Sequence, residues 1–429
     1  MAKKQAAAKK VTTTTTTTTT THKSSRGGKK TASSSSWKRT LYRYSAFLFG
    51  VAIAVSYGFV KSIVTDLGLF LGTVVPFNTE GCEPLVGLET CEDIHIHHDW
   101  GLAFTTCGHA ESRKGWYPPI GNNNASAENA FKDKFVLYSL EVSIVLNKFD
   151  VMELTGFPEG EDRVFHGLDI YELSPMEVII FAVNHRRTGS VIEVLQYTLG
   201  HFTVQYKETI KHELIHTPND IVALGPRSFY VSNDHRHHSG IQRAIEENLR
   251  FPWSNVIYYS PENTFVAFES VVSANGMSAN TDRSTVYLSA CFGGGFHILK
   301  PRENHTLVEE DYVKLDFFND NPSYDAQTDS VFVTGHVQPL KMMQGLAVPV
   351  KPVVGPSKIV KISKNPQAKA DAPAAAGTPK YLVETVLVDD GNLISTGTVA
   401  AIDRKRGVML VGTAFGEKGF VRCPIPEGF

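Results

Sequence analysis

The chain is poor in several things on which familiar scaffolds and enzymes depend. It holds five cysteines, at 82, 91, 107, 291 and 423, among 429 residues, too few for a disulfide-built scaffold. No GxSxG elbow occurs, which argues against a serine hydrolase. Histidines crowd into IHIHHD at 94–99 and DHRHHSG at 234–240, but neither run has a Cys partner or an HExxH helix, so neither reads as zinc-binding. His95 and His97 alternate on one strand face and are expected at the surface or a blade edge, with His237 and His238 on a polar rim. The glycines of ACFGGGFH lack the Lys and following helix of a phosphate loop, which leaves a turn.

Acidic charge is missing from one region. Residues 1–43 carry eleven Lys/Arg and no Asp or Glu, so the remainder is about thirteen charges negative. The Thr12–Thr21 and Ser33–Ser36 runs in this tail offer almost nothing to bury, and a disordered tail is expected. A basic tail could meet nucleic acid or anionic lipid; a solvated extension is the plainer reading. Residues 45–60, SAFLFGVAIAVSYGFV, are uncharged and apolar, and the mixed run 44–72 is near the length needed to cross a bilayer. Lys and Arg ahead of it would keep the N-terminus cytosolic and the body luminal or outside. An uncleaved signal anchor is expected over a cleaved signal peptide, because a long hydrophilic stretch precedes the run.

From Cys82 onward, short runs such as EVIIFAVNH, VIEVLQYTLG, NVIYYSP and VMLVGTAF alternate with Gly, Pro, Asn and Asp at about ten-residue spacing. This is an all-β pattern, and residues 82–429 suggest a propeller of about six four-stranded blades. Residues 233–253 are the exception, helical in their second half. Residues 342–379, rich in Pro, Ala, Val and Lys, are expected as an inserted extended and flexible loop. Cys82 opens the body and Cys423 nearly ends it, so a bridge between them would close the ring. Asn124 and Asn304 head glycosylation sequons.

Six oxygen-rich clusters punctuate this body: Glu92-Asp93, Asn219-Asp220, Asn233-Asp234, Asn275-Gly276, Asn280 and Asp320-Asn321. Most stand where a strand-like run starts or stops. Each alone reads as a turn, but a set drawn from distant segments suits a hard cation, which takes six to eight oxygens. A propeller would bring such residues to one axis.

The segments HGLDIY with FAVNHRR, HTPNDIVALGPRSFYVSNDH, SNVIYYSPENTFVAFESVVSANGMSAN, TVYLSA with FHIL, VFVTGHVQPLKMM, and STGTVAA with VGTAF resemble the paraoxonase/arylesterase family in order and spacing. The likeness runs from about Cys82 to Cys423, with 110–150 and 342–379 diverging. It implies a six-bladed β-propeller with two central calcium ions, a retained N-terminal apolar segment, a closing Cys82–Cys423 disulfide, and hydrolysis of lactones and aryl esters. The resemblance assigns a catalytic Ca²⁺ to Glu92, Asn219, Asn275, Asp320 and Asn321. It assigns a structural Ca²⁺ to Asp93, Asp220 and the Leu168 carbonyl. His166 and His185 fall on the family's histidine pair, with Asp320 as the alternative base, and Asp234, His235 and His336 match further tunnel positions. Ser273 replaces an expected aromatic, and the wall near Ala414 and Phe415 is shifted. Two other readings stay open: a gluconolactonase-like or strictosidine-synthase-like enzyme, and a membrane-tethered binding propeller that keeps calcium for stability.

Overall fold

The computed structural model describes residues 36–127, 131–141, 149–347, 352–368 and 379–429. The chain divides into Met1–Val60 and Lys61–Phe429. Most of the basic tail lies outside the described residues. Helix α1, Ser36–Asp66, starts seven residues before the expected end of that tail. It contains Arg43–Thr65, long and apolar enough to cross a membrane.

Strands dominate the body. Valine, isoleucine and aromatic side chains recur along them, so most strands bury at least one face. Three four-stranded sheets follow chain order: Pro218–Gly225 to Thr264–Val271, Ala274–Ala279 to Leu307–Lys314, and Phe318–Asp325 to Tyr381–Asp389. A fourth pairs Glu83–Pro84 with Val421–Pro424, Val408–Thr413 and Gly397–Asp403, so the two ends of the body share one sheet. The remaining large sheet has eight strands. Its halves, Glu89–His97 to Phe149–Thr155 and Phe165–Ser174 to Thr203–Ile210, meet through a short parallel pairing of Glu153–Thr155 with Thr203–Gln205.

The result is an all-β, propeller-like body. Six innermost strands, starting at Glu89, Phe165, Pro218, Ala274, Phe318 and Gly397, neighbour one another in succession, and the last neighbours the first. Apolar layers fill the wedges between sheets. Val222, Tyr230, Val256, Met277, Leu288 and Leu299, for example, join two successive sheets, each such side chain worth about 1.5–3 kcal/mol of burial.

Cys82 and Cys423 are bridged across 341 residues of chain. Loop-closure arguments give such a bridge roughly 5 kcal/mol at most. A second disulfide, Cys91–Cys107, was not anticipated; it joins neighbouring strands at the edge of the site described below. Residues 342–379 depart from the expected loop. Helix Pro339–Leu346 runs into them, and Ser357–Lys364 forms a full strand of its sheet, pairing on both sides. Its β-branched Ile359, Val360 and Ile362 are buried, a strand signal that the surrounding Pro and Ala obscured. Residues 348–351 and 369–378 lie outside the described residues. Helix Gly240–Leu249 matches the helical second half expected in 233–253.

Candidate active site

One irregularity recurs in all six inner strands. The antiparallel pairing skips two residues between Cys91 and Ile94, Phe165 and Leu168, Pro218 and Ile221, Ala274 and Met277, Asn319 and Pro322, and Gly397 and Ala400. The skipped pairs are Glu92-Asp93, His166-Gly167, Asn219-Asp220, Asn275-Gly276, Asp320-Asn321 and Thr398-Val399. In a regular strand successive side chains point to opposite faces. A bulge breaks that alternation and re-aims side chains, so both members of a pair can serve the axis. These residues therefore sit within strands, not at strand ends.

The freed backbone groups need partners, and carboxylates supply them. Asp93 accepts from its neighbour Ile94 N–H at 2.8 Å and from Leu168 N–H of the next inner strand at 2.9 Å. Asp220 does the same for Ile221 at 2.7 Å and Met277 at 2.6 Å, and Asp169 for Ile170 at 2.7 Å and Ala223 at 2.8 Å. Each carboxylate thus stitches one inner strand to the next. Two glycines make this approach possible: a Cβ on Gly167 would collide with Asp220 and the Asn219 carbonyl, and one on Gly276 with Asn321.

A second set of oxygens is left open. Glu92 Oε2, Asn219 Oδ1 and Asn321 Oδ1 are buried acceptors with no donor. Asn321 Nδ2 donates to Glu92 Oε1 at 2.8 Å, which leaves its own oxygen free. Burial, with the Asp320, Asp93 and Asp220 carboxylates around it, pushes Glu92 well above the usual carboxylate range. Burial and Asp93 do the same to Asp220, and burial raises Asp320 although His336 lies 3.3 Å away. Orphaned oxygens cost free energy, and crowded buried acids call for a counter-charge. A hard cation meets both needs. Among the described residues no three His, Cys, Asp or Glu side chains converge as a metal site; the set instead mixes amide and carboxylate oxygens, the donors that a hard cation prefers.

Beside this set stand two imidazoles, both nearly fully buried. His166 Nδ1 lies 3.1 Å from His185 Nε2, and His185 Nδ1 lies 2.9 Å from Ser190 Oγ. The carbonyl of His185 accepts from Trp116 Nε1 at 2.8 Å. His166 Nε2 faces Glu92 Oε1 at 3.6 Å. Burial, His185 and the Arg113 charge hold His166 well below its ordinary value, and burial takes His185 to about 3. Both rings are neutral at pH 7, which suits a chain running from Ser190 through His185 to a free Nε2 on His166.

Several members of this site carried no recognised signal in the sequence. Tyr117 lies edge-on to His166, His185 and Phe415, and Arg113 sits over its ring at 4.7 Å. Arg113 and Asp133 form a buried pair that holds both backbone groups of Phe165, the residue before His166. All three come from the divergent 110–150 stretch. Thr398 donates to the Glu92 carbonyl as the polar member of its pair. Phe415 packs in the wall with Trp116 and Tyr117, and Ser273 holds a left-handed φ of 54°.

Other expected residues lie farther out. Asp234 and His235 pair at 2.9 Å, and His235 also meets Glu247 of helix Gly240–Leu249 at 3.1 Å. Asn233, at the end of strand Ser228–Asn233, accepts from the N–H groups of His216 and Thr217, and Asn280, in a turn, from Thr285 N–H, so both are used up in local backbone bonds. Asn124 and Asn304 are exposed at turns. His95 corrects the surface reading: only 22% of its side chain is exposed, and it contacts Asp93 at 3.4 Å and Asp169 at 3.0 Å. The bulge beside it redirects the strand toward the axis. HELIH at 212–216 matches the spacing of zinc helices, a match that the reading of the histidine runs passed over. It forms a turn, in which His212 accepts from Leu214 N–H and His216 meets the Leu214 carbonyl.

The sequence profile of a family described as arylesterase matches residues 139–422. Human serum paraoxonase/lactonase 3 is 27% identical over 80% of this chain and 88% of its own length. Mouse serum paraoxonase/arylesterase 1 is 28% identical over 86% and 96%. Among solved structures, a luciferin-regenerating enzyme aligns over 82% of this chain and 96% of its own at 12% identity and a TM-score of 0.47.

Proposed function

The chain belongs to the arylesterase family, and from that premise we propose that it is a calcium-dependent hydrolase of lactones and aryl esters. The observation that carries this reading is the trio of orphaned buried oxygens on Glu92, Asn219 and Asn321 beside a neutral imidazole pair. Glu92, Asn219, Asn275, Asp320 and Asn321 would hold the catalytic Ca²⁺. Asp93, Asp220 and the Leu168 carbonyl would hold a structural one. When bound, the catalytic ion supplies polarisation of the ester carbonyl and stabilisation of the negative charge developing on its oxygen.

The protein's own groups do the rest. His166 takes the proton of the attacking water at Nε2, the nitrogen facing Glu92. His185, with Nε2 3.1 Å from His166 Nδ1, fixes the tautomer that leaves Nε2 free, and Ser190 fixes that of His185 in turn. The lowered basicity of His166 makes the transferred proton easy to release, so the pair acts as a relay and does not store charge. Asp320, next to His336, is the alternative base. Tyr117 and Phe415 keep bulk water from this chain.

The body reads as six blades, with each half of the eight-stranded sheet counted as one; the ring of six inner strands supports this count. Arg43–Thr65 would anchor the protein in a membrane. The body would then lie in the secretory lumen or outside the cell, a setting in which two disulfides and glycosylation at Asn124 and Asn304 are consistent. Partners are small lactone or ester substrates and, through the N-terminal segment, the membrane.

Hydrolysis of a lactone panel and phenyl acetate should be measured with calcium and with excess chelator. Turnover that survives complete removal of bound calcium would overturn the reading.

A further inference from the structure

The ligand level described above has a second side. Just past the interrupted pair, every inner strand contributes to one cavity of about 540 Å³: His95 and His97, Asp169 and Glu172, Ala223, Ser278, Ser323 and Ala401 are among its lining. Six or seven waters at ~30 Å³ each occupy about 200 Å³, so a hydrated dication fits. The rim is open, with 59% of the His98 and 56% of the Glu172 side chains exposed. Asp99, Asp169 and Glu172 line it against a single guanidinium, that of Arg283, with His95, His97 and His98. Three carboxylates against one guanidinium give the lining a surplus of acidic side chains, which draws cations in.

At its floor stands His95. Its Nδ1 is 3.0 Å from Asp169 and its Nε2 is 3.4 Å from Asp93, so one imidazole spans from the open cavity to a carboxylate only 2% exposed. On the opposite side, the site is capped by Tyr117, His166, His185 and Phe415, all buried. Asp93 and Asp220 are thus screened from one end by a packed aromatic and imidazole layer. From the other end His95 stands between the open cavity and Asp93.

We propose that this cavity is the route by which the inner cation enters and leaves, with His95 as its gate. The proposal rests on the reading that Asp93, Asp220 and the Leu168 carbonyl hold an ion. Passage requires the imidazole to release Asp93 and turn toward the cavity, where there is room for it. By this account the ion does not pass the layer of Tyr117, His166, His185 and Phe415, so ion exchange leaves the histidine pair undisturbed.

The test is isotope exchange on the full chain, loaded with labelled calcium and diluted into excess unlabelled calcium so that the site is never empty. The stoichiometry of bound label is counted first; a chain that retains no slowly exchanging ion overturns both this route and the inner-ion reading beneath it. With that ion present, His95→Ala should speed exchange by about tenfold or more, the factor that one lost contact of ~1.4 kcal/mol contributes to a rate. Calcium affinity should change less than the rate does. Ser278→Trp, which fills the cavity without touching Asp93, should slow exchange at unchanged affinity. If Ser278→Trp exchanges at the wild-type rate, or if His95→Ala alters affinity as much as rate, the gate is overturned while the inner-ion reading stands.

Discussion

The two sets of axial oxygens differ in what they already do without a cation. Asp93 and Asp220 each accept N–H bonds from two inner strands, and so hold the ring together. Glu92, Asn219 and Asn321 keep an oxygen with no partner at all. The first set is built into the fold, while the second carries a cost that the fold alone does not offset. On the proposed assignment, binding energy at the first set would be folding energy, and at the second it would be available for chemistry. The contrast also explains the mixture of residue types: carboxylates clamp paired N–H groups well, whereas amide oxygens leave more net positive charge on a bound ion.

The contrast is broken most severely at Asp220. Replacing it with Ala orphans two buried N–H groups, each worth about 1–3 kcal/mol, so denaturant titration should show a loss of roughly 2–6 kcal/mol. Asp220→Asn, which keeps one acceptor, should lose less. A mutant as stable as wild type would show that the stitching bonds hold nothing. His166→Ala should leave that titration nearly unchanged and reduce lactone turnover by about a hundredfold, the scale of general-base catalysis. Normal turnover in that variant would move the base to Asp320. Asn219→Ala removes one orphaned oxygen and should raise the calcium concentration that activity needs by roughly tenfold, about 1.4 kcal/mol, with little change in melting. A large drop in stability instead would erase the distinction between the two sets.

A control outside both sets gives the gentlest effect. Burial opposes charge on His235, but the Asp234 carboxylate and the contacts to Asp234 and Glu247 override it and raise its pKa to about 9. The folded value lies above the unfolded one of about 6.5. Its stabilisation is therefore complete below about pH 6.5 and lost as pH rises through about 9, at no more than ~1.4 kcal/mol per pH unit. His235→Gln should flatten that part of the stability profile. Calcium dependence should not move with it.

Some of the site was legible because its chemistry is local. Glu92-Asp93, Asn219-Asp220 and Asp320-Asn321 are unusual within apolar runs, and their residue types alone suggest oxygen donors. Asn233 and Asn280 have the same composition and cap local backbone groups; nothing in their immediate neighbours separates them from the axial set. The separation depends on whether a pair falls at the interrupted level of an inner strand, and that is a property of pairing register. Arg113, Asp133 and Tyr117 were missed for a related reason, since their link to His166 runs through a fold-back of the chain. The Ser357–Lys364 strand was hidden by its proline- and alanine-rich flanks, and Cys91–Cys107 by having no spacing rule to announce it.

The sequence by itself determined the strand-rich composition, the family, the residues able to offer oxygen or imidazole, and the cysteines at either end of the body. Each of these follows from short-range pattern or from residue chemistry. Only the tertiary structure decided that six interruptions fall at one level, that three acids stitch strands while three oxygens remain open, and that His95 reaches Asp93. Those facts depend on which residues meet across a ring, and contacts of that kind are fixed by packing and register between segments hundreds of residues apart.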